Sequence, residues 1–404
     1  MIALILSPFY LLLNFYLLRW LNRWMDACHS FLRKKWVHII VDILYIFICT
    51  SLLTAFLLPA GTLQRYMKLL SNYWLGTLLY TILTVIIADL IRLILKHSKK
   101  ISPEKLHSRK TFVTGGGICL AVIITFSIWG IVNARHIHTT RYEVNIEKEA
   151  GSLDSLNVVM IADLHLGYNI GCSHMEKMVN KINAENPDIV LIAGDIFDNE
   201  YEALEDPERL SEILRGIQSK YGVYACYGNH DIAEKILAGF TFGGKSKKMS
   251  DPRMDEFLTA SQITLLRDES VLIDDAFYVY GRPDYQRPGR GIETRKTPDE
   301  ITQDLDLSKP ILVIDHQPKE LQELADAGVD LDLCGHTHDG QLFPGNLTIK
   351  LMWENACGYL KKGNMHNIVT SGVGLFGPNM RVGTKSEICS IHVTFKTPDI
   401  SSKL

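Results

Sequence analysis

Residues 189–198 read Ile-Val-Leu-Ile-Ala-Gly-Asp-Ile-Phe-Asp: five apolar residues without a polar break, a glycine, then two carboxylates. An uninterrupted apolar run bounded by turn formers predicts a strand buried on both faces. The same grammar recurs four more times. NVVMI (157–161) leads to Asp163-Leu164-His165, and VYACY (223–227) to Gly228-Asn229-His230-Asp231. ILVI (311–314) leads to Asp315-His316, and LDLC (331–334) to Gly335-His336-Thr337-His338. A sixth run, NIVT (367–370), lacks such a sequel. Segments 175–185, 206–220 and 318–327 read as helices between the runs, with Asp206-Pro207 as a cap and first-turn proline. Strands alternating with helices predict a layered α/β domain. Ligands of such sheets bind outside the carboxyl ends of the strands, so five polar clusters converge on one crevice.

The chemistry of the clusters is uniform: carboxylate, imidazole and one amide, with no thiolate among them. That mixture suits borderline-to-hard divalent ions such as Mn, Fe or Zn. In Asp163-x-His165 and His336-x-His338 a spacing of two, on a strand end, directs both side chains to the same side. Asp195 has two oxygens and can bridge a pair of ions. One such pair alone reads as a surface feature, and GNHD alone as a turn. Five clusters, each directly behind a buried strand, form a joint signal.

These blocks resemble the calcineurin-like metallophosphoesterases: Asp163-x-His165, GDIFD at 194–198, GNHD at 228–231, His316, and GHTH at 335–338 agree in order and rough spacing. The resemblance covers about 157–394 and is greatest to the family's membrane-associated bacterial branch. It implies a four-layer α/β/β/α sandwich and a dinuclear site. Asp163, His165, Asp195 and His338 would hold one metal, and Asp195, Asn229, His316 and His336 the other. His230 would be the non-ligand histidine of catalysis, with Asp231 as its orienting partner and Asp198 supporting the site through hydrogen bonds. One departure is visible: GHTH is followed by Asp339-Gly340-Gln341, which brings an extra carboxylate beside the metals.

The chain has 404 residues, a net charge of -3 and 47% hydrophobic residues, a composition that excludes disorder, collagen-like repeats and a small disulfide scaffold. The near-neutral balance predicts no stable nucleic-acid partner. Eight cysteines without a CxxC pair carry no zinc-finger or thioredoxin signal, and free structural thiols are expected. The average conceals a split, because nearly every long apolar run precedes Arg135. Four stretches, 1–18, 37–58, 73–95 and 112–132, approach the roughly 20 apolar residues that cross hydrocarbon. They predict a helical transmembrane bundle of about four spans over 1–135, a linker at 136–151, and the phosphoesterase domain over 152–398. An insertion at 233–263 is expected near the site, with Phe240 and Phe242 as its apolar residues. Cations crowd the first connection (Arg19, Arg23, Arg33, Lys34, Lys35) and the third (Lys96, Lys99, Lys100, Lys105, Arg109, Lys110), against Arg65 and Lys68 in the second. That asymmetry predicts a multi-pass cell-membrane protein with its catalytic domain extracytoplasmic. Asp89 and Arg92 read as a local pair, and Asp42 as a lone carboxylate in an apolar run.

The expectation is therefore a membrane-anchored phosphoesterase in which metal-activated hydroxide attacks a phosphomonoester, phosphodiester or pyrophosphate bond. Membrane lipids are expected partners, and tethering favours a lipid or lipid-linked substrate. Arg381 is either a phosphate contact or a surface arginine. The competing readings are an inactive metal-binding scaffold, and a membrane receptor or transporter with an accessory phosphoesterase domain.

Overall fold

The computed structural model describes residues 2–98, 101–233, 235–237, 240–242, 249–289 and 294–396, and of these the side chains of 2–5 and 235–242 are not described. Contacts divide the chain into two compact units. One is Met1–Val132 with Ile236–Phe242 and Gly377–Met380; the other is Asn133–Lys235, Gly243–Phe376 and Arg381–Leu404.

The first unit is built on long helices. Among the described residues, three are long and apolar enough to cross a membrane: Lys35–Leu57, Thr62–His97 and Arg109–Ala134. The expected first span lies within a continuous helix, Ile2–Cys28, whose described part is not among the three. Asn14, which interrupts its apolar run, is satisfied inside the bundle: its Nδ2 donates to Tyr10 O (2.8 Å) and its Oδ1 accepts from Tyr45 Oη (2.9 Å). Asp42 is not alone either, since its Oδ1 accepts from Asn22 Nδ2 at 2.7 Å. Arg92 reaches His107 Nδ1 (3.1 Å) where a pair with Asp89 was expected. Gly116 permits a close helix approach, because a Cβ there would lie 2.2 Å from the Trp24 ring.

The second unit carries the sheets. Its strands are β1 (Ile137–Ile146), β2 (Ser155–Ile161), β3 (Ile189–Ala193) and β4 (Val223–Cys226). A short pair, β5 (Lys235–Leu237) and β6 (Phe240–Phe242), comes next in the chain and falls, but for Lys235, in the first unit; the second unit continues with β7 (Ile263–Leu265), β8 (Glu269–Ile273), β9 (Phe277–Gly281) and β10 (Ile311–Ile314). β11 (Leu331–Cys334), β12 (Gly358–Lys362), β13 (Met365–Val369) and β14 (Ser386–Phe395) complete the order. Two six-stranded sheets result, β1-β14-β2-β3-β4-β7 and β12-β13-β11-β10-β9-β8.

Alternation explains the unbroken apolar runs. Along β2, Val159 and Ile161 face helices Cys172–Ala184, Pro207–Arg215 and Pro252–Ala260 through Met178, Leu210 and Phe257. Val158 and Met160 face the second sheet through Val279, Leu312 and Leu333. Along β10, Ile311 and Val313 turn the other way, to Ile301 and Leu324 of helices Pro298–Thr302 and Leu321–Asp326. Both faces of both sheets are thus buried, which is the four-layer α/β/β/α arrangement.

The expected linker at 136–151 is instead largely strand. β1 pairs in parallel with β14 from Ile137↔Ser386 to Ile146↔Phe395. Its polar, half-exposed sequence hid it, because an edge strand is stabilised by a distant ladder rather than by its own apolar run. The expected insertion at 233–263 is described only in part. Helix Pro252–Ala260 within it buries Met254, Phe257 and Leu258 in the core, while 243–248 and the Phe240 and Phe242 side chains lie outside the described residues.

Candidate metal centre

β2, β3 and β4 run parallel in one sheet, and β10 and β11 in the other. Their carboxyl ends release all nine sequence-predicted site residues. The spacing of two does not act through strand geometry, because β2 and β11 stop at Ile161 and Cys334, before their clusters. The backbone turns left-handed instead, with φ of 54° at Asp163, 45° at His165, 50° at Asp195, 72° at His336 and 51° at His338. Each such residue costs on the order of 1–3 kcal/mol and persists only where its surroundings hold it. Backbone bonds supply that hold: Asp163 N donates to Gly194 O, His165 N to Asp195 O, and Gly335 N to His316 O, each at 3.0 Å. Gly228 must be glycine, since a Cβ there would come 2.2 Å from Asp195 Oδ1.

The donors form two groups. His165 Nε2 lies 3.0 Å from His338 Nε2, and His338 Nε2 lies 3.7 Å from Asp163 Oδ1. In the second group Asn229 Oδ1 is 2.8 Å from His336 Nδ1 and 3.1 Å from His316 Nε2, with the two nitrogens 3.2 Å apart. Asp195 joins them: its Oδ2 is 3.1 Å from His316 Nε2 and 3.7 Å from His165 Nε2. Asp163, His165 and His338 have ligand atoms within 4.8 Å of one another, as do Asp195, His316 and His336, and a third such group is His165, Asp198 and His230. Asp339, the extra carboxylate, belongs to none of these groups.

The electrostatics fit cations. Burial pushes the Asp163 carboxyl up to about 6, with nearby His316 pulling the other way. Burial opposes ionisation of Asp195 too, but His316, His230 and His165 hold it well below the carboxylate range. Burial, then the neighbouring His316, keeps the His336 imidazole at about 3, and burial with His165 keeps His338 well below its usual value. Neutral imidazole is the ligating form, which burial favours in His336 and His338; in His165 and His316 burial is outweighed by the neighbouring carboxylates, Asp198 and Asp195 for the first and Asp195 for the second, which raise both imidazoles. The Nε2 atoms of His165 and His338, 3.0 Å apart, a buried His165 Nδ1 without a hydrogen-bond partner among the described residues, and the Asp163 and Asp195 carboxylates form a set of nitrogen and oxygen donors that suits divalent ions. His316 Nδ1 donates to Ala193 O at 2.9 Å, which fixes its tautomer and frees Nε2.

The expectation that Asp231 orients His230 is not what the structure shows. Asp231 is wholly buried and its oxygens accept from Phe197 N (2.8 Å) and Gly228 N (2.6 Å), so it holds the loop backbone. His230 Nδ1 pairs with Asn199 Oδ1, and Asn199 Nδ2 donates to Ile232 O at 2.9 Å. With its amide nitrogen so engaged, Asn199 presents an acceptor, and the His230 proton sits on Nδ1. Burial keeps this imidazole low, at about 4. Asn199 lies in a loop after β3, and no motif in the sequence singled it out. Asp198 Oδ1 stands 3.7 Å from His165 Nδ1.

Arg381 is neither a surface residue nor exposed to a ligand. It is fully buried, and its Nη2 donates to Ser371 O (2.6 Å), Gly372 O (3.2 Å) and Gly374 O (2.9 Å), bracing the loop beneath His338. The eight cysteines are free, with Cys226 and Cys334 buried in strands.

A buried set of carboxylate, imidazole and amide donors at the carboxyl ends of two packed sheets defines a metallophosphoesterase class of site. Residues 156–340 match the family described as calcineurin-like phosphoesterase, and the chain carries a calcineurin-like metallophosphoesterase domain. It is 32% identical over 286 residues to a transmembrane protein with metallophosphoesterase domain from Danio rerio, covering 67% of this chain and 61% of that relative. It is 29% identical over 290 residues to an uncharacterized metallophosphoesterase of Campylobacter jejuni, covering 69% of this chain and 70% of that one. It is 24% identical over 273 residues to the UDP-2,3-diacylglucosamine pyrophosphatase LpxG of Chlamydia trachomatis, covering 58% of this chain and 80% of that one. The apolar helices and the transmembrane relative mark a membrane protein.

Proposed function

We propose that the second unit hydrolyses a phosphoester or pyrophosphate bond with two divalent ions, Mn, Fe or Zn, on a lipid or lipid-linked substrate outside the cytoplasm. The observation that carries the proposal is the single oxygen, Asp195 Oδ2, within 3.7 Å of donors from both groups. Asp163, His165, Asp195 and His338 would hold one ion, and Asp195, Asn229, His316 and His336 the other. When bound, such a pair polarises phosphoryl oxygens and acidifies a water for in-line attack. His230, its ring set by Asn199 at Nδ1, would stabilise charge or pass a proton at the leaving oxygen once its Nε2 has taken up a proton. The extracytoplasmic address rests on the cation asymmetry of the connections.

Two features support an amphiphilic substrate. Leu351 and Met352 are 87% and 75% exposed, directly before Trp353, whose ring lies 5.1 Å from that of His336. LpxG, the distant relative, is named for a diacylated substrate.

Removing metal with a chelator and restoring Mn, Fe or Zn to the full-length protein, against phospholipids, lipid-linked diphosphates, soluble nucleotides and an aryl phosphate, tests the reading. Activity should vanish and return with the ion, and a clear preference for soluble nucleotides defeats the lipid assignment. Two variants extend the test. Leu351→Asp with Met352→Asp should lower kcat/KM on vesicle-borne substrate about tenfold and leave the soluble aryl phosphate within about twofold. Asn199→Ala should lower kcat about 10–100-fold with KM little changed, the usual scale for losing an orienting partner. Unchanged kcat in that variant would remove Asn199 from the mechanism.

A further inference from the structure

One wall of the centre carries a cation that has no carboxylate partner among the described residues. The Trp353 ring meets the His336 ring at 71°, centroids 5.1 Å apart. Lys319 Nζ stands 5.4 Å from the Trp353 centroid and 4.6 Å from that of Tyr285. Carboxylates of the same region are committed elsewhere. Glu320 takes Arg282 and Arg295 at 2.9 and 2.6 Å, and Glu354 takes Lys362 at 2.6 Å. Asp284 accepts from Gln317 Nε2 (2.6 Å) and from the backbone N–H groups of Gln286 and Arg287. Among the described residues the Lys319 ammonium has no carboxylate partner.

The physical consequence is specific. Two ring faces attract an ammonium by about 0.5–1 kcal/mol each at such exposure, enough to favour one place for a long side chain. They satisfy none of its three N–H donors, which an ammonium keeps hydrated or gives to an anion. Lys319 therefore presents a positioned ammonium, without a carboxylate partner among the described residues, against the Trp353 ring that itself packs on His336.

We infer that Lys319, seated between Tyr285 and Trp353, binds a second anionic group of the substrate next to the phosphoryl held by the metal centre, so that the protein selects diphosphates over single phosphoesters. This rests on the phosphoesterase reading and names its substrate class. A single phosphoester leaves Lys319 without a partner, whereas the non-attacked phosphoryl of a diphosphate supplies one through a charge-assisted hydrogen bond. Exposed Leu351 and Met352, on the same stretch as Trp353, then face whatever chain that phosphoryl carries.

The experiment compares dihexyl diphosphate with hexyl p-nitrophenyl phosphate, the first having two anionic phosphoryls and the second one. Both are assayed with the full-length, metal-loaded protein, the diphosphate by phosphorus NMR. Wild type should favour the diphosphate in kcat/KM by about tenfold. Lys319→Met should raise KM for the diphosphate about tenfold, hold kcat, and leave both constants for the single ester within twofold. Lys319→Arg should restore most of the lost affinity, which a merely structural role for the lysine does not predict. Equal losses on both substrates, or no loss on either, overturn the inference while leaving the phosphoesterase reading intact. A wild type that hydrolyses the single ester but not the diphosphate also overturns it. Hydrolysis of neither compound overturns the parent reading and the inference with it.

Discussion

Asp195→Asn should lower metal-dependent hydrolysis about 1,000-fold, or about 4 kcal/mol in the barrier, and reduce the metal bound per chain. The Asp195 Oδ2 lies near both donor groups, 3.1 Å from His316 Nε2 and 3.7 Å from His165 Nε2. Its Oδ1 has a separate task, accepting the His230 backbone N–H at 2.7 Å. Asparagine keeps an oxygen for that bond and nearly the same volume, so the loop is preserved while the negative charge between the groups is lost. Asp195→Ala should lose activity as fully and stability as well, because the His230 N–H is then left without its acceptor. Elemental analysis of the purified variants, together with turnover of an aryl phosphate, checks both statements. Activity at the wild-type level in either protein would defeat the two-ion proposal.

The largest stability effect should come from Asp315→Ala, which lies beside a candidate ligand without being one. Asp315 is fully buried and accepts from Arg282 Nη1 at 2.9 Å and from Arg295 Nη1 at 2.9 and 2.8 Å. The two arginine side chains are 0% and 5% exposed, and their other carboxylate, Glu320, sits at the edge of the cluster at 27%. Burial works against the Arg295 charge, and Asp315 and Glu320 more than offset it. Deleting Asp315 leaves two buried guanidiniums with one carboxylate, and breaking a buried pair this way costs about 3–5 kcal/mol. For a domain of this size that corresponds to a fall in Tm of roughly 6–20 °C. Thermal unfolding followed by circular dichroism on the full chain reads it directly. Adding Arg282→Leu and Arg295→Met should recover most of the loss, since a buried ion cluster replaced whole by apolar groups is often neutral. A change in Tm under 2 °C in the single variant would show that the cluster contributes little.

Much of the candidate site is legible because its donors follow buried strands directly in sequence. Ile189–Ala193, Ile311–Ile314 and Leu331–Cys334 are strands at the bounds their apolar runs predict. Such a run announces itself because both faces of the strand are covered. β1 was illegible for the opposite reason: its exposed, polar residues carry no such run, and only the ladder to β14, about 250 positions away, makes it a strand. Arg381 was read wrongly from its glycine-rich neighbourhood, since nothing local reveals that three carbonyls close around its guanidinium.

By itself the sequence determined the kinds of donor atoms, their order behind the strands and the separation of an apolar half from an α/β half, because side-chain chemistry and hydrophobic period are local properties. Tertiary structure alone decided which neighbour serves which purpose. It turned Asp163, His165, Asp195, His336 and His338 left-handed, gave Asp231 to the backbone and Asn199 to His230, and set Lys319 between two rings beside His336. Those choices depend on contacts between segments far apart in the chain, where packing and hydrogen-bond satisfaction outweigh what any short motif specifies.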